Sequence, residues 1–392
     1  MSSQSLQIAI DGNEANSLNR VGSNVYAFEI LKSIEELTRK NNSLNFTILL
    51  RKTAFDDLPP ERSGWKYKVI KPSFLWTQFT EPLHLFLNKD SYDILFTPGH
   101  YAPRNCPIPY ISSIMDLAFL KYPDQFEKSN LVQLKHWTKY SAKHAKKIIA
   151  ISQFTKNDII KKYRKKNEDI VVAPPAISNI KPVGTQQSNA FFKKHHLKKP
   201  YFLFIGTIQP RKNLERLVEA YEKFCRQLSS QQLNRKSPPS QLPQLVLAGK
   251  IGWLAEPILD RIKKSPFFDH IILPGFIPEK IKPSLYRQAT ASLLLGLYEG
   301  FGIPPLESLY YGCIPIVSNT TSLPEVVGDA GIKIDPTDTR KIAESFGKVY
   351  NMTIKTKAVY RRKGKQQLQK FNWKKSATII LNTIEKVAHD SQ

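Results

Sequence analysis

The chain has 392 residues, 41% of them hydrophobic, and a formal net charge of +25. This length exceeds the usual single core, so two domains are expected. No apolar run reaches the roughly 18–20 residues that span a bilayer, and residues 1–7 are polar, so we expect neither a membrane span nor a secretory leader. Three widely separated cysteines, Cys106, Cys225 and Cys313, have no metal-ligand spacing and indicate a reducing compartment.

The positive charge favours polyanionic partners, which include nucleic acid, anionic lipid and phosphorylated substrates. It does not choose between them. Residues 139–166 concentrate it, because they hold ten Lys or Arg against one acid, Asp158.

The first half of the chain alternates strand-like and helical patterns. Helical spacing is found at 24–37, and strand-like runs recur at 6–11, 46–50, 67–70, 94–97, 110–114 and 148–151. Alternation of this kind predicts a parallel sheet covered by helices on both faces. Residues 173–176 break the pattern, and the polar stretch up to Asn189 is interpreted as a linker. The first domain is therefore placed at residues 1–180.

A second α/β series follows and predicts a domain over residues 190–371. Its strands are placed at 201–205, 245–248, 271–273 and 291–297, and its helices at 213–228, 255–264 and 283–289. The composition of residues 229–240 favours a disordered surface loop between them. A last helix is predicted at 373–387. The overall fold class is α/β.

Residues 299–307, Glu-Gly-Phe-Gly-Ile-Pro-Pro-Leu-Glu, carry the strongest chemical signal. Glu299 should leave the carboxyl end of the strand at 291–297, and the glycines that follow let backbone N–H groups approach a ligand closely. Glu307 is expected in the first turn of the next helix, where the helix dipole favours a carboxylate. A carboxylate there suits a vicinal diol, so the segment predicts a sugar-nucleotide site.

This stretch, together with the Gly-Cys-Ile-Pro and Leu-Pro-Glu-Val-Val-Gly segments after it, resembles the retaining glycosyltransferases of family 4. The resemblance covers nearly the whole chain, from about Ile8 to about Lys386. It implies the GT-B architecture, in which two Rossmann-like domains face each other across a cleft. It also implies that the last helix, residues 373–392, crosses back to the first, acceptor-binding domain. The second domain would bind the nucleotide-sugar donor.

The segment 204–213 supplies the expected diphosphate site. Gly206 permits a sharp turn at the end of a strand, and Arg211 and Lys212 then stand beside a helix start, a combination suited to a diphosphate. The segment also matches the Gly…Arg-Lys-Asn pattern of the resembling family. No Asp-x-Asp motif follows a strand, so a metal is not expected, and Arg211 and Lys212 would take its place.

Two further segments of the second domain are donor-site candidates. Residues 271–277 match the family segment whose backbone flanks the nucleobase, which makes Phe276 a candidate for packing on the base, although a place in the core fits equally. Lys250 follows another strand-end glycine and could contact a phosphate.

The first domain departs from the family pattern at two positions. Gly22 matches the first of two glycines in the first strand–helix loop, and Asn24 replaces the second. Asp116 is kept from the family's His-Asp-Leu segment, but Met115 stands where the histidine usually does. Asp116 could hold this loop or contact the acceptor.

The resemblance implies a retaining, metal-independent transfer of a hexose, with mannose from a GDP donor marginally preferred. Glu299 would face the transferred hexose, and Glu307 would hold the ribose diol. The backbone of Gly300, Phe301 and Gly302 would bind hydroxyl or phosphate oxygens. The only cofactor-like molecule expected is the nucleotide-diphosphate sugar itself. The acceptor would be a glycan or a polyprenyl-diphosphate-linked saccharide of cell-surface polysaccharide synthesis, and the enzyme would be cytoplasmic.

Three alternatives bear on these expectations. The basic stretch 139–166 could hold the enzyme on an anionic membrane surface, or it could be a solvated basic face. A catalytically inactive homologue used as a scaffold would explain Met115 and Asn24. A nucleic-acid-binding protein would explain the charge, but the chain lacks RNA-module motifs, so no nucleic-acid partner is expected.

Overall fold

The computed structural model describes residues 5–99, 101–178, 180, 182–234 and 242–391. It contains two compact units. The first runs to Pro123, resumes over Lys128–Ala176 and takes in the C-terminal segment from Phe371. The second consists of Asp124–Glu127 and Ile177–Lys370.

Alternating strands and helices build the first unit. Its strands are β1 Leu6–Asp11, β2 Leu44–Leu50, β3 Trp65–Val69, β4 Ile94–Thr97, β5 Tyr110–Ile114, β6 Lys147–Ala150 and β7 Ile170–Val172. Its helices are α1 Ser23–Thr38, α2 Glu81–Leu87, α3 Ala118–Lys121, α4 Lys128–His144 and α5 Gln153–Tyr163, with a π-helical turn, Trp76–Thr80, leading into α2.

All strand pairs of this first sheet are parallel, in the order β3-β2-β1-β4-β5-β6-β7. Strands β4 and β5 are buried along their whole length, as expected where helices cover both faces of a parallel sheet. Numbering from β1, the order runs 3-2-1-4, so the connections reverse direction between β1 and β4.

The second unit repeats this plan. Its strands are β8 Tyr201–Ile205, β9 Gln244–Ala248, β10 Ile271–Gly275, β11 Ala291–Leu294, β12 Pro315–Ser318 and β13 Ile332–Ile334. Its helices are α6 Thr185–Lys194, α7 Leu214–Asn234, α8 Glu256–Lys263, α9 Lys282–Gln288, α10 Ile303–Tyr310, α11 Leu323–Val327, α12 Thr339–Tyr350 and α13 Ile354–Leu368.

The second sheet is also parallel, in the order β10-β9-β8-β11-β12-β13. This is the 3-2-1-4-5-6 order of a doubly wound sheet, and it reverses between β8 and β11. Ligands of such sheets bind beyond the carboxyl ends of the strands at the reversal. The topology therefore directs attention to the segments that leave β8 and β11.

The last helix, α14 Trp373–His389, packs in the first unit. The rings of Trp373 and Tyr26 in α1 have centroids 5.9 Å apart. The Ser376 hydroxyl donates to the Pro174 carbonyl over 2.6 Å. Among the described residues, no helix is both long and apolar enough to cross a membrane.

Three predicted boundaries were wrong. The strand placed at 291–297 ends at Leu294, because the Leu295 carbonyl accepts a side-chain bond from Asn213 instead of a strand bond. The stretch interpreted as a linker up to Asn189 contains the start of α6, Thr185–Lys194. Helix α7 continues to Asn234, into the segment predicted as a disordered loop. The rest of that predicted loop, at 235–240, lies outside the described residues.

Candidate active site

Three glycines end the adjacent strands β8, β9 and β10. Gly206 donates its N–H to Ala248, and Gly249 donates to the Gly275 carbonyl over 2.8 Å. Gly249 has φ of +149°, and a Cβ there would lie 1.9 Å from the Gly206 oxygen. No other residue fits at Gly249, so bare backbone lines this sheet edge.

A basic turn leaves β8 and meets a carboxylate that leaves β11. Arg211 and Lys212 lie in a short 3₁₀ turn, Pro210–Lys212. Lys212 Nζ lies 2.7 Å from Glu299 Oε1, and Arg211 Nη1 lies 3.5 Å from Glu299 Oε2. The Arg211 guanidinium also donates to the Tyr298 carbonyl over 2.7 Å. The structure thus brings together Arg211 and Lys212, the predicted diphosphate clamp, and Glu299 at the reversal between β8 and β11.

Backbone contacts fix this arrangement. Leu297 donates its N–H to the Arg211 carbonyl, which ties the two strand-end loops to each other. A Cβ at Gly296 would lie 2.5 Å from Glu299 Oε1, so any larger residue would displace the carboxylate from this position. The protein's own contacts therefore fix Arg211 and Glu299 relative to each other.

The loop after Glu299 is buried, and a serine side chain binds its backbone. The buried Ser322 hydroxyl lies 2.8 Å from the carbonyls of both Glu299 and Phe301. Gly302 has φ of +106°, and a Cβ there would meet Leu323 at 2.5 Å. The Phe301 ring is buried, so this side chain is not placed to contact a ligand. Gly300 lies in the same buried loop.

Glu307 was predicted in the first turn of a helix, and that position was wrong. Helix α10 begins at Ile303 after its N-cap Gly302, and Glu307 lies in the second turn. The helix start is therefore too distant to bind the carboxylate. Side chains of α9 bind it instead: the Tyr286 hydroxyl donates over 2.8 Å, and Lys282 Nζ lies 3.3 Å away.

This second carboxylate is held in an unusual electrostatic environment. Burial raises the pKa of Glu307, although the Lys282 ammonium opposes the shift. Burial lowers the pKa of Lys282, but the carboxylates of Glu307 and Glu279 outweigh burial and leave it raised. Burial and the Glu307 carboxylate together raise the pKa of Tyr286 well above its ordinary value. Perturbed groups clustered beside a strand-end site are typical of functional positions.

Lys250 and Phe276 contact each other at the edge formed by β9 and β10. Lys250 Nζ lies 5.1 Å from the centroid of the Phe276 ring, a cation–π contact. Both side chains are exposed, so Phe276 is not part of the core.

In the first unit, the loop after β1 contains a carboxylate that sequence reasoning missed. Glu14 Oε2 accepts from the Asn24 amide over 2.6 Å and from the Ser23 hydroxyl over 3.2 Å. Gly22 is the N-cap of α1, with φ of +55° and open space around its Cα. Asn24, which replaces the family's second glycine, therefore holds Glu14 at the reversal point of the first sheet.

Asp116 acts locally in the structure. Its Oδ1 accepts the Ala118 N–H over 3.0 Å, at the start of α3. Met115 is buried, and its carbonyl accepts from Thr155. These contacts support the expectation that Asp116 holds its loop, and they do not bring it together with Glu299.

Among the described residues, no three or more His, Cys, Asp or Glu side chains cluster as a metal site would require. The site residues that sequence reasoning missed are Lys282, Tyr286, Ser322, Gly296 and Glu14. The first two are four apart on one helix, a spacing that places them on one face. Their contact with Glu307 is visible only in the folded chain.

The second unit is similar to a known family. Residues 186–367 match the family described as glycosyl transferases group 1. O-antigen chain mannosyltransferase B of Escherichia coli is 29% identical over 288 residues, which cover 73% of this chain and 72% of that protein. The serotype-specific mannosyltransferase WbdA of Escherichia coli is 29% identical over 206 residues, 51% of this chain and 23% of that protein.

The fold has solved counterparts. Anabaena HepE in complex with UDP-glucose superposes with a TM-score of 0.70 at 15% identity, over 97% of this chain and 100% of that one. WaaG, a glycosyltransferase involved in lipopolysaccharide biosynthesis, gives a TM-score of 0.66 at 13% identity, over 97% and 99% of the two chains. These likenesses confirm the predicted α/β, GT-B fold class.

Proposed function

We propose that this chain, a glycosyltransferase with a glycosyl transferases group 1 domain at residues 186–367, moves a hexose from a nucleotide-diphosphate sugar with retention of configuration and without a metal. The observation that carries the proposal is the meeting of Arg211, Lys212 and Glu299 at the reversal between β8 and β11. Two cations beside bare strand-end backbone suit a diphosphate, and a carboxylate beside them suits a sugar hydroxyl.

The charges support the bond-breaking step. As the bond from the anomeric carbon to the diphosphate oxygen breaks, negative charge grows on the leaving nucleoside diphosphate. Arg211 and Lys212 stabilise that charge, and their fixed backbone contacts mean that little reorganisation is needed. The acceptor hydroxyl attacks the same face of the sugar and gives its proton to the leaving phosphate oxygen, which preserves the anomeric configuration.

Glu299 has a positioning task in this scheme. Its carboxylate accepts a hydrogen bond from Lys212, and its backbone carbonyl accepts one from Ser322, and these bonds hold the side chain beside Arg211 and Lys212. We assign it to the hydroxyls of the transferred hexose. The diphosphate would share Lys212 with it.

Glu307 is assigned to the ribose diol. It is held by Tyr286 and Lys282 of α9, the helix that follows β10 in the chain. Gly275 and Phe276, at the end of β10, would flank the base. A carboxylate can accept from both ribose hydroxyls while it keeps one of these bonds, because it offers about four acceptor positions.

The sugar and acceptor are proposed from the relatives. Two similar proteins are named mannosyltransferases, one of them for the O-antigen chain. We therefore propose mannose from a GDP donor, and an acceptor that is a glycan or a lipid-linked saccharide of cell-surface polysaccharide synthesis. The reaction would take place in the cytoplasm.

The basic stretch 139–166 supports a place at the membrane surface, but with fewer residues than its sequence suggests. Lys147, Lys156 and Lys165 bind backbone carbonyls of their own unit. The other seven basic side chains are exposed: Lys139, Lys143, Lys146, Lys161, Lys162, Arg164 and Lys166. We propose that these contact anionic lipid on the inner face of the cell membrane, at about 1 kcal/mol each near the surface.

Donor hydrolysis and transfer test the function. The enzyme is incubated with GDP-mannose, UDP-glucose and other nucleotide sugars, with and without EDTA, and nucleoside diphosphate release is measured. Release from one donor, kept in EDTA and lost in Lys212→Gln, supports the proposal. An α-linked product from an α-linked donor, seen by NMR, supports retention.

Two results would replace the proposal. Binding of a nucleoside diphosphate without any turnover would indicate an inactive scaffold. Recovery of turnover in Asn24→Gly or Met115→His would support the same conclusion. Tight, salt-sensitive binding of RNA or DNA without donor binding would indicate a nucleic-acid-binding protein.

A further inference from the structure

A helical segment of the first unit exposes a row of large apolar side chains. The π-helical turn Trp76–Thr80 runs directly into α2 Glu81–Leu87. Its buried side combines the apolar Trp76 and Leu85 with the polar residues Thr80, Glu81 and His84. Its solvent side carries, beside Gln78, the side chains of Phe79, Leu83, Phe86 and Leu87, with exposed fractions of 57, 43, 65 and 71%.

These four side chains form one surface. Their spacing of i, i+4, i+7 and i+8 puts them on a single helix face. Phe74 and Leu75, directly before the helix, are 72 and 46% exposed and extend the apolar row. A water-facing helix normally turns its polar side outward, so a row of this size indicates a surface that is covered in use. We call residues 74–87 the apolar segment.

Lysines outnumber acidic residues around the apolar segment. Lys66, Lys68, Lys71 and Lys89 are exposed on either side of it in sequence, with the exposed Glu61 and Asp90 just beyond them. Glu81, within the segment, is buried. The exposed surface of this stretch is therefore apolar with a predominantly positive border.

An apolar surface with a basic border favours an anionic membrane over a second copy of the chain. A second copy of the chain would bring two positive borders together, on molecules that already carry a net charge of +25. An anionic bilayer offers phosphate groups to the lysines and an acyl boundary to the phenylalanines and leucines, and it demands no shape complementarity. We propose that the apolar segment inserts into the headgroup–acyl boundary of an anionic membrane.

The apolar segment and the basic stretch 139–166 belong to the same unit. The loop between β4 and β5 contacts α4 of the basic stretch, since Asn105 donates its N–H to the Tyr140 hydroxyl over 2.8 Å. Insertion rests on the membrane contact proposed above and deepens it: the lysines supply attraction, and the apolar segment supplies insertion.

Vesicle flotation of the full chain tests this. Wild type is compared with a Leu83→Gln/Phe86→Gln variant on phosphatidylcholine vesicles with and without phosphatidylglycerol, at low and high salt. The matched control is Phe268→Gln/Ile354→Gln, which removes two exposed apolar side chains from the second unit. We expect the first variant to lose at least about tenfold in partitioning to anionic vesicles, and the control to lose none.

Insertion predicts a salt response that charge alone does not give. Binding that remains at high salt should depend on Leu83 and Phe86, whereas Lys143→Gln/Lys146→Gln should weaken binding mainly at low salt. In a Phe86→Trp variant, brominated lipid should quench additional tryptophan emission. Absence of that quenching, or equal partitioning of wild type and the Leu83/Phe86 variant, would overturn the inference.

A self-association result would also overturn it. If sedimentation without vesicles shows a concentration-dependent dimer that the Leu83/Phe86 variant abolishes, the apolar segment is an interface between copies. Donor hydrolysis is measured on the same preparations. Because none of these residues lies in the donor site, flotation and hydrolysis fail independently, and loss of one does not count against the other.

Discussion

Replacing Glu307 tests the donor site most directly, because its two assigned roles have separate measurable consequences. In Glu307→Ala, the buried Tyr286 hydroxyl loses its acceptor, which costs about 1–3 kcal/mol. Lys282 keeps its 2.7 Å contact with Glu279, so its share of the loss is small, at about 0–1 kcal/mol. The free energy of unfolding should fall by about 1–4 kcal/mol.

The binding effect is separate from this loss of stability. If the carboxylate accepts from the ribose diol, charge-assisted hydrogen bonds worth about 1.5–3 kcal/mol disappear, which is about 10- to 150-fold in affinity for the nucleoside diphosphate. Calorimetry with GDP and with 2′,3′-dideoxy-GDP measures this. Wild type should lose affinity on removal of the two hydroxyls, and Glu307→Ala should lose almost none.

Tyr286→Phe is the matched control, since it removes a hydrogen bond to Glu307 but leaves the carboxylate. It should lower stability and leave discrimination between the two nucleotides intact. Burial raises the pKa of Glu307 above its ordinary value of 4.5, so affinity for GDP should fall with decreasing pH before an exposed glutamate would protonate. Equal affinity of wild type and Glu307→Ala for GDP would refute the diol assignment.

Three other changes have defined outcomes. Lys212→Gln should lower turnover about 10²-fold while nucleoside binding stays unchanged, and EDTA should leave wild-type turnover intact; activity lost in EDTA and restored by Mg²⁺ or Mn²⁺ would contradict the metal-free clamp. Gly249→Ala should cost more than about 2 kcal/mol in urea unfolding, because its Cβ would lie 1.9 Å from a backbone oxygen. Gly184→Ala, whose Cβ would meet nothing within 4 Å, should cost only about 0.5–1 kcal/mol as the N-cap of α6. Glu81→Met should stabilise the protein by about 1–3 kcal/mol at neutral pH, since neither carboxyl oxygen has a hydrogen-bond partner among the described residues. Glu35→Met is the control and should destabilise the protein, because it breaks bonds to two arginines. Burial raises the pKa of Glu81, so wild-type stability should fall as pH rises above the ordinary value of 4.5, and the gain in Glu81→Met should vanish in acid; a gain independent of pH would argue against a titrating carboxyl.

The sequence by itself determined the elements and the chemistry at their ends. Strands β4, β5 and β8 lie at the positions predicted from their apolar runs, because burial on both faces of a parallel sheet leaves a local record in hydrophobicity. Gly206 and the Arg211–Lys212 pair were recognisable because a strand, a glycine turn and a helix start follow each other within a few residues. Glu299 was assigned to the end of its strand for the same local reason.

The tertiary structure alone decided which of these ends meet. Lys212 and Glu299 are 87 residues apart, and their 2.7 Å contact depends on the pairing of β8 with β11. Tyr286 and Lys282 hold Glu307 because side chains of α9 reach a residue of α10, and no local pattern in either helix indicates that partner. Helix periodicity likewise does not show which face is buried, so the outward apolar side of residues 74–87 became visible only when Glu81 and His84 were found inside. Contacts of long sequence separation depend on how whole elements pack, and one-dimensional patterns do not contain that information.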